Sequence, residues 1–140
     1  MQEPVDKDEI SRRMRAVLAA IPGIRCAYVY GSFLSREDFR DIDVALLLRD
    51  GTDAGTADRI AADAGDRLEN ALGFRHECDV RVLNGMPAWL VYEIISTGKT
   101  LFIRDEKDRI DFETGVMIEY LDMRETWDLF DQEYLARVLT

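Results

Sequence analysis

The chain is 140 residues long, of which 47% are apolar, so it has the length of one domain and enough apolar material for a real core. Its 28 acidic residues outweigh 18 basic ones, for a formal charge of −10. That balance argues against affinity built on neutralising many nucleic-acid phosphates and against binding to an anionic membrane surface.

The excess is uneven. Residues 1–50 carry 8 positive and 9 negative side chains, residues 51–100 carry 5 and 8, and residues 101–140 carry 5 and 11. The acidic weight therefore lies toward the C-terminal end. No apolar run approaches the 18 or more residues of a membrane span. The opening MQEPVDKDEI is polar and acidic, unlike a signal peptide, so a cytoplasmic location is expected. Cys26 and Cys78 both sit in apolar runs and read as reduced core thiols. No ligand spacing joins them to His76, the single histidine, which argues against zinc and for a structural histidine.

In chain order, Asp6 or Asp8 can cap a first helix whose apolar positions are Ile10, Met14, Val17, Leu18 and Ile21. Pro22 and Gly23 stop it, and Arg25–Tyr30 reads as a strand. Gly31-Ser32 breaks that strand, and a turn or short helix leads to Arg40. Asp41–Leu48, DIDVALLL, is a second strand. Ala57–Leu72 has helical spacing and closes on Gly73. His76–Leu83 is a third strand, Pro87–Gly98 a helix with proline in its first turn, and Thr100–Ile103 a brief fourth strand.

From Asp111 onward, Val116, Tyr120, Met123, Trp127, Phe130, Tyr134 and Val138 follow one another at steps of three and four. They form one apolar seam on a long helix, expected to pack back on the sheet or to be lent in part to a partner. Trp89 and Trp127 read as core or interface anchors. The order α-β-(turn)-β-α-β-α-β-α predicts a small α/β (α+β) fold with a short sheet.

Asp41 and Asp43 are two residues apart, a spacing that acidic residues show six times in this chain and that chance alone supplies. Context separates the pairs. Only 41/43 and 77/79 lie in apolar strands, where a period of two puts both carboxylates on one face. Two such like charges are costly to bury partly, and a hard divalent cation such as Mg²⁺ relieves the conflict. The alternative for 41/43 is a strand-end pair facing solvent. Gly31-Ser32 follows a strand, and there a glycine lets backbone approach a phosphate while serine and the next amides donate to it. A strand, Gly-Ser, a charged loop, then a strand opening Asp-x-Asp together point to nucleotidyl transfer.

VYGSFLSREDFRDIDVALLL resembles the Gly-Ser … Asp-x-Asp signature of the nucleotidyltransferase superfamily of DNA polymerase β. Within it, the chain looks like the minimal nucleotidyltransferases, the MntA-type antitoxins paired with HEPN-domain, HepT-like toxins. CDVRVLNGMPAWLVYEIISTGKTLFIRDEKDRIDFETGVMIEYLDMRE is similar to the family's later elements, so the resemblance runs from about residue 10 to the end.

It implies a nucleotidyltransferase fold over residues 1–140, with a short mixed β-sheet flanked by helices and a long C-terminal helix. It implies that Gly31 and Ser32 hold the triphosphate of ATP, and that Asp41 and Asp43 bind two Mg²⁺ ions. Asp79, rather than Glu77, completes the site as a ligand or base.

The loop of eight residues between Ser32 and Asp41 is a little shorter than the family's commoner form. Leu34-Ser35-Arg36 replaces the usual Ala-Arg-Gly, so Arg36 or Arg40 faces the phosphates, or both are solvated loop charges.

The reaction implied is transfer of AMP to a hydroxyl, in the family a tyrosine of the toxin. One alternative is an antitoxin that masks its toxin without chemistry. The other is an aminoglycoside-like adenylyltransferase, for whose added helical domain this length leaves little room. No membrane or direct nucleic-acid partner is implied, and the last helix is the place for homo- or hetero-oligomer contacts.

Overall fold

A computed structural model describes residues 6–139 of the chain. In chain order the elements are α1 (Lys7–Ala19), β1 (Ile24–Tyr30), α2 (Ser32–Ser35), β2 (Asp41–Leu48) and α3 (Ala54–Ala71). They continue as β3 (Glu77–Val82), α4 (Ala88–Thr97), β4 (Lys99–Ile103) and α5 (Glu106–Leu139). The strands form one mixed sheet in the order β3-β2-β1-β4. β1 is antiparallel to both β2 and β4, whereas β2 and β3 run parallel. The expected α/β architecture, with its short mixed sheet and long last helix, is the one observed.

Local chemistry explains the boundaries. Asp6 caps α1, its carboxylate accepting from the amides of Asp8 and Glu9. Asp53 caps α3 in the same way through the Thr56 amide. Pro87 stands at the N-cap of α4, one place ahead of the first turn expected for it. Asn84 continues the β2 ladder past β3, accepting from the Leu48 amide at 2.8 Å and donating to its carbonyl at 2.9 Å.

Strand alternation sorts β2 between two cores. Ile42, Val44, Leu46 and Leu48 join Met14, Leu18, Ala64 and Leu68 under α1 and α3. Ala45 and Leu47 face the other way and pack with Cys26, Tyr28, Val91, Ile94 and Val116 under α4 and α5. Asp41 and Asp43 share the parity of that second face. β2 is thus apolar on both faces except at the end that opens it.

Two arginines tie the layers together. Arg25 holds Asp108 through two bonds of 2.9 and 2.7 Å and reaches Asp50 at 3.1 Å. Arg104 donates to the carbonyls of Ile24, Ala19 and Ile21, stapling the end of β4 to the α1–β1 turn.

The last helix departs from expectation at both ends. It begins at Glu106, five residues before Asp111. Asp105 accepts from the Lys107 amide, and Arg109 pairs with Glu106 and Glu113, so charged side chains rather than apolar ones build its first turns. Among the described residues, the buried and half-buried side chains of α5 end at Met123. Val116 is buried and Tyr120 stacks on Tyr92 with ring centroids 4.0 Å apart. Trp127, Tyr134 and Val138 are each more than half exposed, and the Phe130 side chain lies outside the described residues. Trp89 is exposed as well, so neither tryptophan is a core residue. Among the described residues no helix is long and apolar enough to cross a membrane.

Candidate active site

The end of β1 and the openings of β2 and β3 meet at one corner of the sheet. Register places Tyr30 opposite Asp43, Asp43 opposite Asp79, and Asp41 opposite Glu77. Tyr30, Asp43 and Asp79 therefore line up across three strands on the face that carries α4 and α5. One step along, Tyr28, Ala45 and Arg81 form the next row.

Gly31 turns the chain out of β1 with φ 77 and ψ −149, a conformation open to glycine and scarcely to other residues. A Cβ built there would lie 2.4 Å from Asp43 Oδ2. The glycine thus makes room for a carboxylate, which is a different use of the missing side chain from the approach to phosphate expected of it. Ser32 then opens α2, and its hydroxyl borders a cleft of about 480 Å³ shared with Arg36, Phe39, Arg40, Asp41 and Asp43. Gly31, Ser32, Arg36, Arg40, Asp41 and Asp43 are thereby brought together, and Asp79 joins them through its register with Asp43.

The electrostatics single out Asp43. Burial first, then the charge of Asp79, push its carboxyl above the ordinary carboxylate value, with Asp41 adding to the effect and Arg81 opposing it. Arg81 Nε stands 3.6 Å from Asp79 Oδ2, both side chains about half exposed. Tyr30 is raised as well, by burial first, with Asp43 and Asp79 adding and Arg81 opposing.

The two loop arginines differ. Arg36 is held by Asp38 through bonds of 3.0 and 2.9 Å on an exposed turn, while Arg40 makes no ion pair among the described residues. His76 stacks on Phe39 with centroids 4.8 Å apart, and its Nδ1 lies 3.4 Å from the Arg40 carbonyl, the structural role expected of it. Cys26 and Cys78 are free thiols, both pushed up by burial, to about 11 and about 12.

Sequence reasoning missed Tyr30, Arg81 and Asp38. Arg81 was within its reach, because a strand period of two puts it on the face of Asp79. Tyr30 required knowing the β1–β2 register.

Among the described residues no three His, Cys, Asp or Glu side chains converge as a ready-made metal cage. Mg²⁺, however, is commonly held by one or two carboxylates and completed by water and substrate phosphates. An open row of hard oxygen donors, one of them disfavoured as a lone anion by its neighbours, suits that mode of binding.

The sequence model for "Polymerase beta, Nucleotidyltransferase" matches residues 13–107, from the middle of α1 to the start of α5. The chain belongs to this nucleotidyltransferase family. No match to it was found among curated proteins.

Among solved structures, the domain is similar to an MNT antitoxin in complex with a tri-AMPylated HEPN toxin of Shewanella oneidensis. The TM-score there is 0.66 at 18% identity, covering 93% of this chain and 99% of that one. It is also similar to a chain of the MntA–HepT toxin–antitoxin, with TM-score 0.63 and 19% identity over 91% of this chain and 98% of the other. A toxin–antitoxin structure with AMP-PNP gives TM-score 0.62 and 21% identity over 94% and 99%. These likenesses establish that the nucleotidyltransferase fold extends past the family match into α5.

Proposed function

We propose that this nucleotidyltransferase transfers AMP from ATP to a tyrosine hydroxyl of a cognate HEPN-domain ribonuclease toxin, as the antitoxin of that pair. The observation that carries the chemistry is the Asp43–Asp79 pairing beside Gly31-Ser32, which sets a carboxylate row at the edge of the cleft that Ser32 borders. What supports the partner is the likeness, over nearly the whole chain, to antitoxins solved with HEPN toxins, one of them tri-AMPylated.

In this reading Ser32 and the amides opening α2 hold the β- and γ-phosphates, and Arg40 adds charge on the same wall. Asp41 and Asp43 would hold Mg²⁺, and Asp79 would complete the site on the acceptor side. The metal, when bound, neutralises charge on the α-phosphate and lowers the pKa of the acceptor hydroxyl. Asp79 receives or orients the proton of that hydroxyl. The hydroxyl oxygen bonds to the α-phosphorus, the bond to the bridging oxygen breaks, and pyrophosphate leaves past Ser32. An adenylate adds negative charge and bulk to the toxin, disfavouring RNA phosphate nearby.

The test is to coexpress the protein with a HEPN-domain protein encoded beside it and weigh that partner by mass spectrometry. The expected result is an adenylate adduct that disappears with Asp43→Asn. An unmodified partner in both cases overturns the reading. Protection against the toxin that survives Asp41→Asn with Asp43→Asn shows masking without chemistry, and adenylate found only on small hydroxyl acceptors shows the aminoglycoside-like activity.

A further inference from the structure

Arg25, Arg36, Arg67 and Arg109 each hold at least one acid. Another group of cations meets with little acid around it. Between α1 and the edge strand β4 lies a second cleft, about 530 Å³, bordered by Lys7, Arg12, Arg15 and Lys99. Asp8 is the single carboxylate among its described lining residues.

These four cations are poorly neutralised. Arg15 Nε donates to the Leu101 carbonyl at 2.9 Å and Lys7 Nζ to the Arg36 carbonyl at 2.8 Å, both uncharged acceptors. Lys99 makes no ion pair among the described residues, and Arg12 alone has a carboxylate, that of Glu9. The hydroxyls of Ser11 and Thr100 add donors, and Val29, Phe33 and Leu101 supply an apolar floor. Four cations along one cleft raise its positive potential, which attracts an anion.

We infer that this cleft is a second anion site, one that takes a small molecule bearing a chain of phosphates. Lys7 and Arg15 stand eight residues apart on α1, about 12 Å along its axis, a longer reach than one phosphate has. An extended nucleic acid is disfavoured by the net charge of −10 surrounding so short a basic stretch. Free inorganic polyphosphate and the tail of a nucleotide share the chemistry the cleft recognises.

Its wall is also the wall of the first cleft. Phe33 and Leu34 border the basic cleft, while Ser32, the preceding residue on the same short helix, borders the carboxylate cleft. The inference does not rest on the transfer reaction, since anion binding here uses none of the carboxylates.

The test is calorimetric titration of the whole protein with inorganic tripolyphosphate in divalent-free buffer at low ionic strength. Without a divalent cation the Asp41–Asp43–Asp79 row repels phosphates, so binding reports the basic cleft. Binding at one site per chain is expected, weakened at least about fivefold by Arg12→Gln with Lys99→Gln, two exposed side chains. Lys99→Glu weakens it further, and added salt weakens it in the wild type. No binding at millimolar ligand, or binding that Lys99→Glu does not alter, overturns the assignment. Repeating the titration with ATP on wild type and on Arg12→Gln with Lys99→Gln identifies the source: binding tighter than that of tripolyphosphate and weakened in the variant indicates a nucleotide, and no such gain over tripolyphosphate indicates a free polyphosphate.

Discussion

The carboxylate of Asp43 occupies the space that a side chain on Gly31 would fill, Oδ2 lying 2.4 Å from where a Cβ would stand. The turn that ends β1 and the acid near the start of β2 are thus a single fitted unit, although twelve positions separate them in sequence.

Gly31→Ala is expected to destabilise the fold by about 1–3 kcal/mol, because alanine resists φ 77 and ψ −149. It also displaces Asp43. Chemical denaturation of Gly31→Ala, Asp43→Ala and the double variant separates the two contributions. If clash with the carboxylate matters, the double variant is more stable than the sum of the singles predicts. Strict additivity would leave backbone strain as the whole cost.

Asp43→Asn is expected to make the metal-free protein more stable at neutral pH while removing transfer activity. Burial and Asp79 raise the folded-state pKa of Asp43 above 3.8. The folded chain then binds that proton more tightly than the unfolded chain, so ionisation costs stability as pH rises through this interval. The cost is absent below 3.8 and complete above the raised folded value. Melting wild type and Asp43→Asn across pH 3 to 8 checks it. A gap that fails to widen toward neutral pH contradicts the prediction.

Asp108 behaves in the opposite sense. Its two bonds from Arg25 hold its carboxyl below the ordinary value of 3.8. Its stabilising contribution is complete above 3.8 and is lost as pH falls through the lower folded value. Arg25→Gln is expected to cost about 1–3 kcal/mol at pH 7, with a much smaller difference in strong acid. Urea titrations at the two pH values measure both numbers.

Ending the chain after Arg124 is expected to leave the sheet and its two cores intact. The described side chains beyond that point are exposed, and none belongs to either core cluster. The melting temperature should fall by less than about 4 °C, the equivalent of roughly 1 kcal/mol at this size. Tyr120→Ala, which removes the stack on Tyr92, is the contrasting variant and should cost about 1–3 kcal/mol. Circular dichroism melts of both distinguish the inner half of α5 from the outer half.

Much of the architecture was legible because local rules and tertiary packing agree. β2 matches its expected bounds, Asp41–Leu48, since an apolar run opened by an acid and closed by Arg-Asp-Gly leaves little choice. The start of α5 was not legible from apolar spacing, because its first turns are stabilised by Asp105, Glu106, Arg109 and Glu113. The burial of its seam was legible only as far as Tyr120, since periodicity says which residues share a face and not whether anything covers it. The pairs 41/43 and 77/79 stand out as acids in apolar strands, and the family resemblance is what prefers Asp79 to Glu77. The adjacency of Tyr30, Asp43 and Asp79 depends on pairing between strands distant in sequence, which no local pattern records.

The outer half of α5 has an evolutionary consequence. At 1.5 Å per residue, the stretch beyond Arg124 extends the helix by roughly 20 Å past the body it grows from. The described side chains there belong to neither core nor to the carboxylate corner, so this segment can change under selection that the corner does not feel. A lineage can exchange the company it keeps through those positions while its chemistry stays constant. Divergence concentrated in that arm, with Gly31, Asp43 and Asp79 held still, is the imprint such a history would leave.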